Sequence, residues 1–397
     1  VFANFQFEIY AQGLANQRPQ LPVLASELEE RARESLTQEA FGYVAGGAGS
    51  ELTMAANLRA FERWQIVPRM LCDVSERNLA TSVLGTEMAA PVLLAPIGVQ
   101  SIVHPDGELA VGRAAAAHGL APILSTAASH SLEDVAIEMA AASRWYQLYW
   151  PTDRDLAASF VARAAEAGYE AIVVTLDTWL LGWRPRDLAN AYLPFLKGEG
   201  VANYFSDPVF RSALAKTPEA DPGAAIGHWA YQFANPRVTW ADLAWLREQT
   251  TLPIVLKGIL HADDARLALD AGVDGLIVSN HGGRQVDGSI GALDALPAVR
   301  EVVGEQFPVM FDSGIRTGAD IFKALALGAD AVCVGRPFVW GLGLDGQAGV
   351  EFVLRCLLAE LDLTLALSGY TDIAQIDSSA LKRADTAGSP PHSTSPV

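Results

Sequence analysis

Cysteine is scarce in this chain. Three occur in 397 residues, Cys72, Cys333 and Cys356, and none has metal-ligand spacing. An odd count without a signal peptide fits a reducing compartment. Positive charge is short as well. Lysines and arginines number 28 against 46 aspartates and glutamates, a formal net charge of −18. That balance argues against nucleic acid or an anionic membrane as partner and is ordinary for a cytoplasmic protein. Long apolar runs are missing too: none approaches the roughly 20 residues of a membrane span. What the chain has is core-forming residues. Half of it is hydrophobic, ample for a sizeable interior. Cys333, inside the apolar run Ala331–Val334, reads as a small core residue rather than a nucleophile.

Eight short apolar runs recur along the chain: Val92–Ile97, Pro122–Ser125, Trp145–Tyr149, Ala171–Asp177, Pro253–Lys257, Leu276–Ser279, Val309–Asp312 and Ala331–Gly335. Alanine-rich helical stretches lie between them, such as Gly107–His118, Asp155–Ala167, Ala262–Ala271 and Gly318–Leu327. Alternation of strand and helix predicts a parallel sheet with helices outside. Eight units are the number that closes a (β/α)₈ TIM barrel; an open, doubly wound sheet is the structural rival. One domain is expected over 1–384.

Two segments break the rhythm. Residues 1–80 precede the first run and hold a helical pattern over Ser26–Ala40, an expected N-terminal cap. Residues 183–240 are far longer than an ordinary connection, which marks a lid-like loop or a surface excursion with its own small core. Proline and aromatics crowd it: Trp183, Pro185, Tyr192, Pro194, Phe195, Tyr204, Phe205, Trp229 and Tyr231. The Ser-, Pro- and Thr-rich stretch 385–397 reads as a disordered tail.

The strand ends are unusually polar. They carry Gln147 and Tyr149, then Thr175 and Asp177, then Lys257, then Ser279, His281 and Arg284, then Asp312 and Arg316, then Arg336. Singly, each has a plain reading: a hydrogen-bonded loop histidine, a helix N-cap aspartate, a solvated lysine. At the C-terminal mouth of one barrel they converge. The run Ser279-Asn280-His281-Gly282-Gly283-Arg284-Gln285 sets a proton acceptor and a fixed cation together on a glycine turn that admits close approach. The last two strand ends, Asp312-Ser313-Gly314-Ile315-Arg316-Thr317-Gly318 and Gly335-Arg336-Pro337, offer backbone N–H groups and two guanidiniums where this fold commonly holds a phosphate. With no metal-ligand cluster beside it, that site suggests an organic phosphate cofactor, FMN above all.

These motifs, with Leu176-Asp177-Thr178-Trp179-Leu180-Leu181-Gly182-Trp183-Arg184-Pro185-Arg186-Asp187, resemble the FMN-dependent 2-hydroxy acid oxidase and dehydrogenase family over nearly the whole chain. The Trp-Arg-Pro-Arg-Asp sequence is most similar to its lactate 2-monooxygenase branch. The resemblance implies roles. His281 is the base, Asp177 supports its imidazolium, and Lys257 faces the flavin N1 and O2. Arg184 and Arg284, with Tyr43 and Tyr149, take the substrate carboxylate. Ser125, Gln147, Thr175 and Ser279 meet the ring, with Pro96, Ile97 and Gly98 near N5. Asp312 meets the ribityl chain; Ser313, Gly314, Arg316, Gly335 and Arg336 form the phosphate cradle. Two positions depart from the broader pattern: Gly98, where many members have alanine, and Ala127, where glycolate oxidase-like members have tryptophan. The second leaves substrate size open.

The implied reaction is oxidation of a short L-2-hydroxy acid with dioxygen as second substrate. In the monooxygenase branch it ends in acetate, carbon dioxide and water. In the oxidase alternative, keto acid and peroxide are released. A flavin-binding barrel without turnover is the reading from another class, and the base-plus-clamp set argues against it. A homo-tetramer or octamer is also implied.

Overall fold

The apolar runs become strands because they are buried on both faces, as parallel strands covered by helices must be. In the computed structural model, which describes residues 1–384, these are β1 (Val92–Leu94), β2 (Ala121–Ser125), β3 (Trp145–Leu148), β4 (Ile172–Thr175), β5 (Ile254–Ile259), β6 (Gly275–Val278), β7 (Val309–Phe311) and β8 (Ala331–Val334). Among the described residues these eight close a barrel, each pairing parallel with the next and β8 returning to β1. The open-sheet alternative falls at that last pairing. Most strands end earlier than the sequence suggests, because their final polar residues turn over the mouth.

Every strand contributes to the barrel's filling: Leu93, Ile123, Trp145, Val173, Val255, Ile277, Met310 and Cys333, with Ala121 of β2 and Ala331 of β8 beside them. A hairpin of strands Thr81–Val83 and Thr86–Met88 adds Val83 and Met88 to this cluster. Thr86 Oγ1 accepts from Trp145 Nε1 at 2.8 Å. Cys333 is core, as its run predicts, and burial pushes its thiol far above the usual range. The outer layer is α1 (Gly107–Ala117), α2 (Leu132–Met139), α3 (Arg154–Glu166), α4 (Asp242–Gln249), α5 (Ala262–Asp270), α6 (Ala292–Val303), α7 (Gly318–Ala326) and α8 (Arg336–Leu367), the last broken at Asp345 and Gly346.

Residues before β1 form helices Asn4–Leu14, Ala25–Ser35, Gln38–Ala45 and Leu52–Glu62. The single helix expected over Ser26–Ala40 is two. The first ends at Ser35, and Thr37 caps the next, its Oγ1 accepting from Ala40 N at 3.2 Å, a use of threonine that outcompetes helix continuation. Strand Trp64–Ile66, which follows the cap helices, pairs antiparallel with Leu381–Arg383 near the end of the described chain.

Residues 183–240 are folded, with short helices including Pro185–Ala189, Ala202–Phe205, Pro208–Ser212 and Pro222–Phe233. Phe195 stacks on Trp229 at 4.7 Å, and Tyr204 meets Phe210 edge-on at 5.6 Å. Asn203, fully buried, bonds the carbonyls of Ser125 and Thr126 and the N–H of Leu132. The segment thus has its own core and is tied to the end of β2. Trp183 and Tyr231 point to solvent instead. The stretch 385–397 lies outside the described residues.

Trp229→Ala should cost about 3–5 kcal/mol, as loss of a buried aromatic does. It should also expose residues 183–240 to protease. Denaturant unfolding together with limited proteolysis checks this; unchanged stability and cleavage would contradict the small core.

Candidate active site

The turn after β6 places His281 at the mouth. Its Nδ1 lies 2.7 Å from Asp177 Oδ1, at the end of β4, and 3.1 Å from Thr178 Oγ1. Thr178 also donates to Asp177 at 2.9 Å. Asp177 can come this close to β5 because Gly258 bulges with φ +114°; a Cβ there would sit 3.0 Å from the Asp177 side chain. Burial alone would raise the Asp177 carboxyl, but the charges of His281 and Lys257 and the hydrogen bonds hold it far below the usual range. An ionised Asp177 fixes the imidazole proton on Nδ1 and leaves the lone pair on Nε2. Burial also pushes His281 below its ordinary 6.5, with Lys257 and Arg184 adding to the effect against Asp177. The result is a neutral imidazole at neutral pH.

Lys257 is buried between two carboxylates. Its Nζ lies 3.2 Å from Asp312 and 3.9 Å from Asp177, and donates to Ser279 Oγ at 3.0 Å. Burial opposes its charge; Asp312 and Asp177 override that and hold it above the usual range.

Four guanidiniums crowd the same cavity without a carboxylate partner among the described residues. Arg284 donates to the carbonyls of Tyr43 and Gly46 at 2.5 and 2.7 Å, and stands over the Tyr43 ring. Arg184 donates to the Arg284 carbonyl at 3.1 Å and the Gln285 amide at 2.7 Å. Arg336 donates to the carbonyls of Val44, Gly282 and Gly46, and Arg316 to that of Ile315. Burial pushes Arg284 down to about 10, with Arg184 adding to it. Burial, then Arg284 and Arg316, pushes Arg336 well below its usual range. Partly buried cations without counter-charge mark a place built for anions.

The cavity holds about 1020 Å³ of non-protein space, its open mouth included. Tyr43, Pro96, Ile97, Gly98, Ser125, Tyr149, Arg184, Lys257, His281, Arg284, Asp312, Ser313, Gly314, Arg316, Gly335 and Arg336 line it. Four other residues singled out from sequence sit behind this lining. Asp177 bonds to His281, and Ser279 accepts from Lys257. Gln147 accepts from Ser125 Oγ at 3.0 Å, while Thr175 is buried at the end of β4. Sequence reasoning missed Thr178, Leu181 and Phe233, which also line the cavity. Thr178 had a signal, since it follows Asp177; Phe233 had none. Gly98 and Ala127 touch: a Cβ at Gly98 would lie 2.6 Å from the Ala127 carbonyl. Burial pushes the Tyr149 phenol up to about 12, so it is a hydrogen-bond donor.

These residues fit FMN. One end of the cavity has two cations, and the space beside Gly335 is open, a Cβ there meeting nothing nearer than Ile97 at 3.6 Å. Behind the lining, Gln147 Nε2 is a buried donor with no partner among the described residues, which a ring carbonyl reaching it would satisfy. Among the described residues no group of three His, Cys, Asp or Glu is placed to hold a metal, and no helix is long and apolar enough to cross a membrane.

Residues 32–383 match the family model for FMN-dependent dehydrogenase. An FMN-dependent alpha-hydroxy acid dehydrogenase of Penicillium citrinum is 44% identical over 98% of this chain and 97% of its own length. An L-lactate oxidase of Lysinibacillus sphaericus is 44% identical over 95% and 97%. Among solved structures, a mandelate oxidase superposes with TM-score 0.81 at 38% identity, covering 91% of this chain and 98% of that one.

Arg336→Met should weaken retention of the cofactor by about ten- to hundredfold, the worth of a charge-assisted contact. Flavin fluorescence released on dilution measures it; wild-type retention would remove Arg336 from the anion site.

Proposed function

This chain belongs to the FMN-dependent dehydrogenase family, its cofactor is FMN, and it oxidises 2-hydroxy acids; from that premise we propose that its substrate is L-lactate and its reaction that of a lactate 2-monooxygenase. Lactate and dioxygen would yield acetate, carbon dioxide and water. The observation that carries this reading is the wall of the cavity. Leu181, Phe195 and Phe233 from the segment after β4 stand in it. Phe195 is fixed by stacking on Trp229, and Gly200 packs so tightly that a Cβ would collide with Val99 and the Ala127 carbonyl. A fixed apolar wall excludes water and keeps a small product in place.

The substrate carboxylate lies across Arg184 and Arg284, whose forked donors suit it. The Tyr43 and Tyr149 hydroxyls complete that clamp. Nε2 of His281 accepts the proton of the substrate hydroxyl, and Asp177 stabilises the imidazolium that forms. FMN, when bound, would supply the two-electron redox chemistry between the hydroxyl-bearing carbon and dioxygen. Lys257 sets a buried positive charge at the floor, where negative charge develops. Ser125, Gln147, Thr175 and Ser279 would hold the flavin ring, with Pro96, Ile97 and Gly98 beside it. Asp312 would take the ribityl chain, and Ser313, Gly314, Arg316, Gly335 and Arg336 the phosphate. Pyruvate enclosed with peroxide then loses carbon dioxide, giving acetate and water.

A second reading is release of keto acid and peroxide. The L-lactate oxidase and mandelate oxidase names of its relatives favour it, as does the space left by Ala127. The proposal extends to a homo-tetramer or octamer in the cytoplasm. The apolar stripe Phe7, Tyr10 and Leu14, exposed on the first helix, supports assembly.

Purified enzyme with L-lactate in air should give acetate with little free pyruvate or peroxide. Stoichiometric pyruvate and peroxide would replace the monooxygenase with the oxidase. His281→Gln should keep FMN and slow anaerobic flavin reduction by about 10²-fold or more; a rate within about threefold of wild type, in the stopped flow, would remove His281 as base.

A further inference from the structure

The turn carrying His281 is strained. His281 has φ +58°, and Gly282 and Gly283 continue at +65° and +77°. A residue with a Cβ stays in that region only when its surroundings over-determine it. Ser313 Oγ accepts from Asn280 N at 3.3 Å and Gly282 N at 3.0 Å, one on each side of His281. Asn280 Oδ1 accepts from Gly283 N at 3.1 Å. Within the barrel, His281 N also donates to Ser279 Oγ at 3.0 Å, and Arg336 donates to the Gly282 carbonyl at 3.0 Å; a further restraint comes from the N-terminal cap. Asn57, on helix Leu52–Glu62 of the N-terminal cap, exchanges two amide hydrogen bonds with Asn280, at 2.8 and 2.6 Å. Asn280 Nδ2 also donates to the Ile290 carbonyl at 3.0 Å. All four hydrogen-bonding positions of that amide are then used. Asn57 Oδ1 accepts in addition from Ala292 N at 3.0 Å. Both side chains are buried, and neither lines the cavity.

We infer that Asn57 is a positioning residue for the reaction: the N-terminal cap, through the Asn57–Asn280 amide pair, holds the strained turn that aims His281. The inference rests on the reading of His281 as base. The clamp is tethered separately, since Arg284 is held by the carbonyls of Tyr43 and Gly46. Loss of Asn57 should therefore disturb the base more than the carboxylate site.

The test uses the full-length, FMN-loaded enzyme and anaerobic stopped-flow reduction by L-lactate. Asn57→Ala should lower the limiting rate by about tenfold or more, while half-saturation stays within about threefold. Asn57→Asp keeps the shape and both acceptor roles but loses the bond donated to Asn280, and should fall in the same direction. The discriminating arm places Asn57→Ala in the His281→Gln background. With the base gone, misaiming it costs nothing further, and the residual rate should change by less than about twofold. A full tenfold drop in that background would overturn the inference, as would wild-type rates in the single variants. Failure of both variants to fold with FMN would also overturn it, by placing Asn57 in the stability of the fold. A wild-type rate in His281→Gln alone sinks the base reading itself, and is distinguished because that variant leaves Asn57 intact.

Discussion

The contact between Asp177 and His281 is the constraint on which the rest of the site depends. A carboxylate that stays ionised while buried needs positive charge on its other side, and Lys257 supplies it. Lys257 in turn needs Asp312 to stay charged. Four side chains from β4, β5, β6 and β7 are thus linked: Asp312 and Asp177 hold Lys257 charged, and Lys257 and His281 hold Asp177 ionised. The imidazole proton is fixed on Nδ1 and the lone pair is left free for chemistry. A barrel suits such an arrangement because adjacent parallel strands deliver their last residues to one mouth at a fixed spacing.

Around that chain the balance of charge is incomplete by construction. Arg184, Arg284, Arg316 and Arg336 are held by carbonyls and an amide, not by carboxylates. Their hydrogen bonds orient them without neutralising them. In the proposed reading, a phosphate at one end and a substrate carboxylate at the other would supply the missing charge. Binding energy and orientation then come from the same groups.

The barrel was legible in the sequence because each strand is a short apolar run ending in polar residues, and burial on both faces makes that pattern strong. The charged site residues were legible for a related reason: His281, Lys257 and the arginines have no business at strand ends unless something binds there. Phe233 was not, since an aromatic in a folded excursion looks the same whether it faces a cavity or a small core. Asn57 was invisible because its partner, Asn280, lies 223 positions away, and a buried amide pair has no periodic signature. The break at Thr37 shows a local choice, a side-chain cap, overriding a continuous helical pattern.

The most direct test of the central claim is the pH dependence of anaerobic flavin reduction by L-lactate, in wild type and Asp177→Asn. Because burial lowers the imidazole below its ordinary 6.5, the neutral base persists into mild acid. The wild-type limiting rate should stay level down to that pH and fall only beneath it. An amide at position 177 no longer fixes the proton on Nδ1, so Asp177→Asn should slow reduction by about 10²-fold or more while retaining FMN. Equal rates and equal acid limbs in the two proteins would contradict the claim that the Asp177–His281 contact sets the chemistry.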